Sequence, residues 1–489
     1  MAFSLSSSSY PLPLILLLSL LLLSLSHQQD PTSLDSGEQE SVYLALESVN
    51  SDIPWRTLFP DDLCVSAPHG VVCGYFRSST NDTVLVPHII EMNFGYVSDS
   101  CQNSPCSPES EFPFSLFSLP HIRKLFFYRC FTHRPVSFPL LNETTRFGLE
   151  LEELVFMENP SLSGSLSGSI GNFTSLRRLI LTRTNVSGGI ADEITKLSSL
   201  EQLTISGNPY LGGGEGNGVP LNVGLLGKLR VLDLSNNGLK GTVPKSLGQL
   251  KSLIKLDLSI NRFSGEIPAS LKGLQSLQFL DLSYNRFGNF GVPLFLGSMT
   301  SLRELYLSGN PLGGTIPEIW ENLGGLLGIG LSGVELVGHI PASMGVFLRD
   351  LSYIWLDNNK LDGEVPEEFG LLQNVYEMNF QNNQLSGGIP FSAQFVAKLG
   401  MKLKLEGNPS LCVDKSIKKS LQNKGSLGNL KACNGTQVHT IAQFNGLSAG
   451  ESIDPTLSPD ACRLDAFGRL GKSGPFLGDE SANRENECK

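Results

Sequence analysis

One phrase returns along this chain at a near-constant interval and leaves few folds open to it. Leu229-Arg-Val-Leu232-Asp-Leu234-Ser-Asn-Asn237 recurs as Leu253-Ile-Lys-Leu256-Asp-Leu258-Ser-Ile-Asn261. It returns again in the stretches ending at Asn285 and Asn310. The pattern is L-x-x-L-x-L-x-x-N, and its last position falls at 237, 261, 285, 310, 334, 359 and 383, in steps of 24 or 25. Degenerate versions place it at 208, 184, 159, 130 and 97, and a truncated one ends at Asn408. Leucines alternating with other residues put two side chains on one face of a short strand. One such unit cannot bury that face alone, so many must stack. The pattern therefore predicts an α/β solenoid with a parallel β-sheet on its concave side and one continuous leucine core. The asparagine amide is suited to satisfy backbone groups where the chain leaves the strand.

A second element follows each asparagine. It reads Gly241-Thr-Val-Pro244, Gly265-Glu-Ile-Pro268, Gly314-Thr-Ile-Pro317, Gly338-His-Ile-Pro341, Gly363-Glu-Val-Pro366 and Gly387-Gly-Ile-Pro390. This G-x-[IV]-P signature resembles that of the plant-type leucine-rich repeat, and the resemblance covers roughly residues 85–410, about twelve repeats. It implies a right-handed superhelix with disulfide-capped ends. Residues 27–84, with a short helix over Glu40–Val49, Trp55 and the pair Cys64 and Cys73, resemble the N-terminal cap of plant extracellular members. That resemblance implies a Cys64–Cys73 disulfide. Residues 411–433, with Cys412 and Cys433, resemble the C-terminal cap, and an oxidising compartment suits both bridges. Pairing of Cys101, Cys106, Cys130, Cys462 and Cys488 is left open, with Cys130 standing in an asparagine position.

Residues 1–26 read as a cleaved secretory signal, because the leucine run Leu12–Leu25 is shorter than a membrane-spanning helix requires. Five acceptor motifs for N-glycans, at Asn81, Asn142, Asn172, Asn185 and Asn434, agree with export. The polar end Ser481–Lys489 argues against a C-terminal anchor of either kind, and residues 434–489 read as an irregular tail. An extracellular place, in apoplast or cell wall, follows, with any membrane association through a partner. The net charge of -11 makes a nucleic-acid partner an unfavourable reading.

Enzyme chemistry finds little support. Gly446-Leu-Ser448-Ala-Gly450 matches a nucleophile elbow but lies in the tail, without the strand and helix that motif needs. Gly471-Lys472-Ser473 resembles the end of a phosphate loop, yet Ala466 stands where glycine is required. The glycine run 212–214, with Gly216 and Gly218, reads as a loop bulge. The seven histidines lack zinc spacing, and kinase signatures are absent. No catalytic residue, metal or cofactor is expected.

A solenoid of this kind offers its concave face to partners. The central outward position there reads Asp233, Asp257, Asp281, Tyr306, Gly330, Trp355 and Asn379. The aspartates read as an ordinary solvated face. Tyr306, Tyr353, Trp355 and Tyr376, together with Asn379, are the candidate partner-binding residues, since exposed Tyr and Trp are enriched at interface hot spots. Between them Gly328, Gly330, Ser332 and Gly333 suggest a shallow notch with aromatic walls. A second, lower-ranked candidate is a basic patch of Arg123, Lys124, Arg129, Arg177, Arg178 and Arg183.

The layout of signal, cysteine cap, repeats and cysteine cap without a kinase resembles plant leucine-rich repeat receptor-like proteins. The aberrant early repeats with Cys101, Cys106 and Cys130, and the phrases Glu-Asn-Pro160 and Gly-Asn-Pro209, are most similar to the Piriformospora indica-insensitive protein 2 group, related to Too Many Mouths. The resemblance implies cell-surface recognition of a protein or peptide ligand, a membrane receptor kinase as partner, and a role in responses to symbiotic or pathogenic microbes. The alternative is a secreted inhibitor of microbial wall-degrading enzymes, similar in architecture to polygalacturonase-inhibiting proteins.

Overall fold

The computed structural model describes residues 33–433 apart from 67, 69, 79–83, 96–103, 139–149, 167, 213–217 and 421–429. The signal segment, the tail, Asn81, Asn142, Asn434, Cys101, Cys462, Cys488, position 97 and most of the glycine run therefore lie outside the described residues.

A fourteen-stranded sheet carries the repeats. Its strands are β1 (Val71–Arg77), β2 (Leu85–Phe94), β3 (Lys124–Tyr128), β4 (Glu153–Met157), β5 (Arg178–Thr182), β6 (Gln202–Ser206) and β7 (Val231–Asp233). They continue as β8 (Lys255–Asp257), β9 (Phe279–Asp281), β10 (Glu304–Tyr306), β11 (Gly328–Gly330), β12 (Tyr353–Trp355), β13 (Glu377–Asn379) and β14 (Leu403–Lys404). The strands β2 to β14 run parallel, each beside the strand of the next repeat, so the sheet is the solenoid's concave wall. β1 alone pairs antiparallel, with β2, and closes the N-terminal end.

Stacking fixes the register. Leu232, Leu256, Leu280, Leu305 and Ile329 are partners across successive strands, and all are fully buried. In the early repeats phenylalanines take over the second leucine column. Phe94, Phe127 and Phe156 stack with ring centroids 4.8 and 4.9 Å apart. Outside the sheet, each Pro of G-x-[IV]-P precedes a short helical turn, as at Lys245–Gln249, Ala269–Gly273 and Glu367–Leu371, whose central Leu247, Leu271 and Phe369 close the core from the convex side. The Gly of that signature has positive φ in each repeat, from Gly241 at 90° to Gly363 at 73°, which is why glycine is required there.

The asparagine ladder takes the form expected of it. Asn310, fully buried, donates to the carbonyls of Leu282 and Leu307, both at 2.9 Å, and accepts from the Phe287 N–H at 3.2 Å. Asn261, Asn285, Asn383 and Asn408 repeat this three-way bond. At Val334 the amide is missing, and the Leu312 N–H turns instead to the Asn310 carbonyl within its own repeat. Cys130 and Thr184 also hold no amide; Asn159 serves the Cys130 and Phe131 N–H groups, and Asn208 serves Thr184.

The cap helix α1 spans Ser36–Val49, starting four residues before the expected Glu40. Asp35 caps it by accepting from the N–H groups of Gly37 and Glu38. Val42, Leu46 and Val49 are buried against the first strands. Bridges join Cys64 to Cys73 and Cys412 to Cys433, and a third, open in the sequence, joins Cys106 to Cys130. No helix among the described residues is long and apolar enough to cross a membrane.

Replacing Asn310 by alanine strands three buried backbone groups, at roughly 1 kcal/mol each. Asn310→Ala is expected to lose about 2–4 kcal/mol of unfolding free energy in a denaturant titration, whereas Asn222→Ala, exposed, at φ -98° and without a side-chain capping bond, stays within about 0.5 kcal/mol.

Candidate functional site

The N-terminal third of the concave wall is a charge lattice. Register places Glu91, Lys124, Glu153 and Arg178 side by side on β2 to β5. Lys124 lies 3.8 Å from Glu91 and 3.6 Å from Glu153, and Arg178 lies 3.1 Å from Glu153. Arg177 pairs with Glu201 at 2.9 Å, Arg123 approaches Glu152 at 3.9 Å, and Arg129 and Arg183 both reach Glu158. The basic patch suggested by the sequence is thus not a cationic surface. Each of its six cations faces a carboxylate of a neighbouring repeat.

Further along, Asp233, Asp257 and Asp281 occupy partnered positions on β7, β8 and β9. One cation serves them. Lys255 Nζ lies 2.7 Å from Asp233 and 3.7 Å from Asp257. Serines two residues on support each carboxylate: Ser259 donates its hydroxyl to Asp257 at 2.7 Å, and the Ser283 N–H donates to Asp281 at 2.8 Å. Burial, then the nearby Asp257 charge, pushes the Asp281 carboxyl up to about 6. Burial and the Asp233 charge raise Asp257 as well. Burial pulls the Lys255 ammonium down, but the two aspartates outweigh it and hold it above its ordinary range. The sequence reads these residues as a solvated face, whereas Asp257 is buried and Asp233 and Asp281 are half-buried; the three successive Leu-Asp-Leu-Ser phrases are the signal for the row.

Beyond this ladder comes an aromatic strip. Phe279 meets Tyr306 edge-on at 5.9 Å, Tyr306 stacks on Trp355 at 5.8 Å, Trp355 touches Tyr353 at 5.9 Å, and Tyr353 meets Tyr376 edge-on at 5.6 Å. Lys402 Nζ sits 5.0 Å over the Tyr376 ring. Tyr306, Tyr353 and Trp355 are half-buried and Tyr376 is exposed. Asn379, partnered with Trp355 across the sheet, accepts from the Gln381 N–H at 3.2 Å. Four of the five sequence-chosen residues therefore form one surface, with Asn379 at its margin, and Phe279 extends it.

The expected notch is absent for a steric reason. Tyr306 lies across β11 and fills it. A Cβ on Gly328 would stand 2.7 Å from the Tyr306 hydroxyl, and one on Gly330 would stand 2.8 Å from its ring. The two glycines make room for a tyrosine laid flat rather than for a ligand. Tyr306 donates to Glu304 at 2.8 Å, and burial beside that carboxylate keeps its phenol protonated well beyond the usual range.

A leucine-rich repeat solenoid with an acidic and an aromatic zone on its inner wall is the class of protein defined by this geometry. A family model described as "Leucine rich repeat" matches residues 227–287, and another, "Leucine Rich Repeat", matches 276–299, 301–323 and 350–372. The chain carries leucine-rich repeats, and three curated proteins to which it is similar are all from Arabidopsis thaliana. Receptor like protein 29 is 34% identical over 31% of this chain and 30% of its own length. Protein Too Many Mouths is 36% identical over 30% and 28%. Piriformospora indica-insensitive protein 2 is 33% identical over 32% and 34%. The matches thus span about a third of each relative. Among solved structures, a TDR receptor is similar with TM-score 0.53 and 26% identity, over 62% of this chain and 50% of that one. The Arabidopsis receptor kinase HAESA, solved with the peptide hormone IDA and the co-receptor SERK1, shares the fold at TM-score 0.58 and 21% identity, over 78% and 66%.

The raised Asp281 pKa has a signed consequence. A free aspartate titrates near about 3.9. The folded state therefore holds this proton more tightly, and its contribution to stability falls as pH rises from about 4 to about 6. Asp281→Asn is expected to add about 1–2 kcal/mol of stability at pH 7 after solvent screening, seen as a raised melting temperature, and to leave the melting temperature nearly unchanged at pH 4. Thermal melts across that range measure both.

Proposed function

We propose that this protein is an extracellular recognition module that binds a peptide or protein ligand on its concave face and acts through a membrane receptor kinase. The contact residues are Tyr306, Tyr353, Trp355 and Tyr376, with Asn379 at the edge. The observation that carries the reading is the continuous aromatic strip on an open wall. Tyr and Trp supply large contact area at small conformational cost, and here neighbouring rings already hold their rotamers. The similarity to receptor-like proteins, one of them named for insensitivity to Piriformospora indica, supports signalling at the plant cell surface in response to microbes. The chain carries binding rather than catalysis in this reading, and a kinase partner supplies the signal.

Plasma-membrane proteins captured on the purified chain test the class of partner: receptor kinases agree with the proposal, and a polygalacturonase would replace it with an inhibitor of wall-degrading enzymes. With the captured kinase's ectodomain in hand, Tyr306→Ala combined with Trp355→Ala is expected to weaken affinity by about 2–4 kcal/mol in calorimetry. Unchanged affinity would remove the aromatic strip from the interface.

A further inference from the structure

Positive charge is gathered at one end of this acidic chain. Among the described residues, seven lysines and no arginine fall from Lys398 to Lys431, against two carboxylates, Glu406 and Asp414, in a chain whose net charge is -11. Glu406 accepts from the Gln381 amide at 2.5 Å and Asp414 from the Ser416 N–H at 2.7 Å, so neither is held by a lysine. Both reduce the local charge without cancelling it. Back along the lateral edge the next carboxylate is Glu364, which pairs with Ser386 and so stands two rungs before Ser410.

The lysines form two groups. On the concave rim, Lys404 lies 2.7 Å and Lys402 4.0 Å from the same carboxylate, Glu377, so two ammonium groups share one counter-charge. On the lateral side, the helix Lys415–Ser420 follows the strand Ser410–Val413. Lys418 donates to the Leu430 carbonyl at 2.7 Å and so draws this helix towards the strand Lys431–Ala432, whose Lys431 is partnered with Cys412. The Cys412–Cys433 bridge holds the same segments together. Lys415, Lys419 and Lys431 are exposed, and among the described residues no carboxylate lies within 4.0 Å of their ammonium groups. Lys415 and Lys419 stand four apart on one helix face, where like charges repel and weaken so short a helix. Charges that find no partner in the fold and lower the stability of their own helix point to a partner outside it.

The residue type narrows that partner. Protein interfaces draw on arginine and aromatic residues and are poor in lysine. Lysine carries a compact, strongly hydrated charge on a flexible stem, and attracts anions without fixing their geometry. Lysines without an arginine therefore suit a polymer of repeated negative charge, whose register along the surface need not be fixed. Anionic lipids lie in the cytoplasmic leaflet, on the side of the membrane away from an extracellular protein. We propose that the C-terminal end of the solenoid docks an acidic polysaccharide, a polymer of carboxylate-bearing sugars, through Lys415, Lys419 and Lys431, with Lys402 and Lys404 extending the surface. The proposal rests on the extracellular placement given under the proposed function. It uses none of the aromatic contact residues, so either can fail without the other.

Titration of the full chain with soluble polygalacturonate, repeated across a salt series, tests it. Wild type is expected to bind and to weaken steeply as salt is added, as cationic surfaces do on linear polyanions. Lys415→Gln with Lys419→Gln and Lys431→Gln should lose about tenfold or more in affinity, with a shallower salt dependence. Lys240→Gln with Arg262→Gln and Arg286→Gln removes the same charge from three exposed cations elsewhere. That variant should stay within about twofold of wild type, because charges beyond a Debye length of the polymer are screened. Unchanged thermal melts show that both variants fold. Failure of wild type to bind, equal loss in the two variants, or tighter binding to phosphatidylserine vesicles than to polygalacturonate would overturn the proposal. Self-association of wild type without polymer, abolished in the first variant, would instead assign the surface to a second copy of the chain.

Discussion

A buried amide that fastens three backbone groups at once is what allows two dozen residues to turn, bulge and return in register in repeat after repeat. Each strand here is only three to five residues long through most of the sheet, too short to hold its own alignment. Leucine stacking supplies the attraction between repeats, but it is non-directional. Asn285, Asn310 and their counterparts supply direction, because a carbonyl of the previous repeat, a carbonyl of their own and an N–H must all arrive within hydrogen-bond distance of one side chain. The outward residues of the inner wall inherit this regularity and fall into columns about 4.8 Å apart.

The columns explain what could be read beforehand. The leucine alternation and the 24- or 25-residue step were sufficient for the solenoid, and the cysteine-bearing ends for the Cys64–Cys73 and Cys412–Cys433 bridges through resemblance. The Cys106–Cys130 bridge was not legible, because the intervening chain departs from the repeat and leaves no register to count along. The basic patch failed differently. Lys124 and Arg178 were correctly placed on nearby strands, but charge depends on which residue sits between them, and the aligned rung is Glu153. The notch failed at the level of rotamers: the glycines at 328 and 330 were visible as small, yet only coordinates reveal that Tyr306 occupies the space they leave.

The concave wall is consequently a sequence of chemistries rather than a uniform groove. Neutralised ion pairs at the N-terminal end give way to an under-compensated row of carboxylates around Lys255, then to stacked rings, then to Glu377 held between Lys402 and Lys404. Asp281 and Phe279, on one strand, join the acidic and aromatic zones. A ligand lying along the wall across that junction would meet a carboxyl that holds its proton up to about pH 6 beside the first ring of the strip.

Val334, like Cys130 and Thr184, gives the stack a rung without its amide, and this rung belongs to β11, the strand over which Tyr306 lies. A solenoid's stability is close to a sum of nearest-neighbour couplings, so a weak coupling is a place where it can part into cooperative blocks. The seam falls beneath the aromatic strip, with Tyr306 anchored on one block and Trp355 on the other. Stacking of those two rings therefore acts as a clasp across the seam, and a guest that parts them loosens the joint between the halves of the molecule.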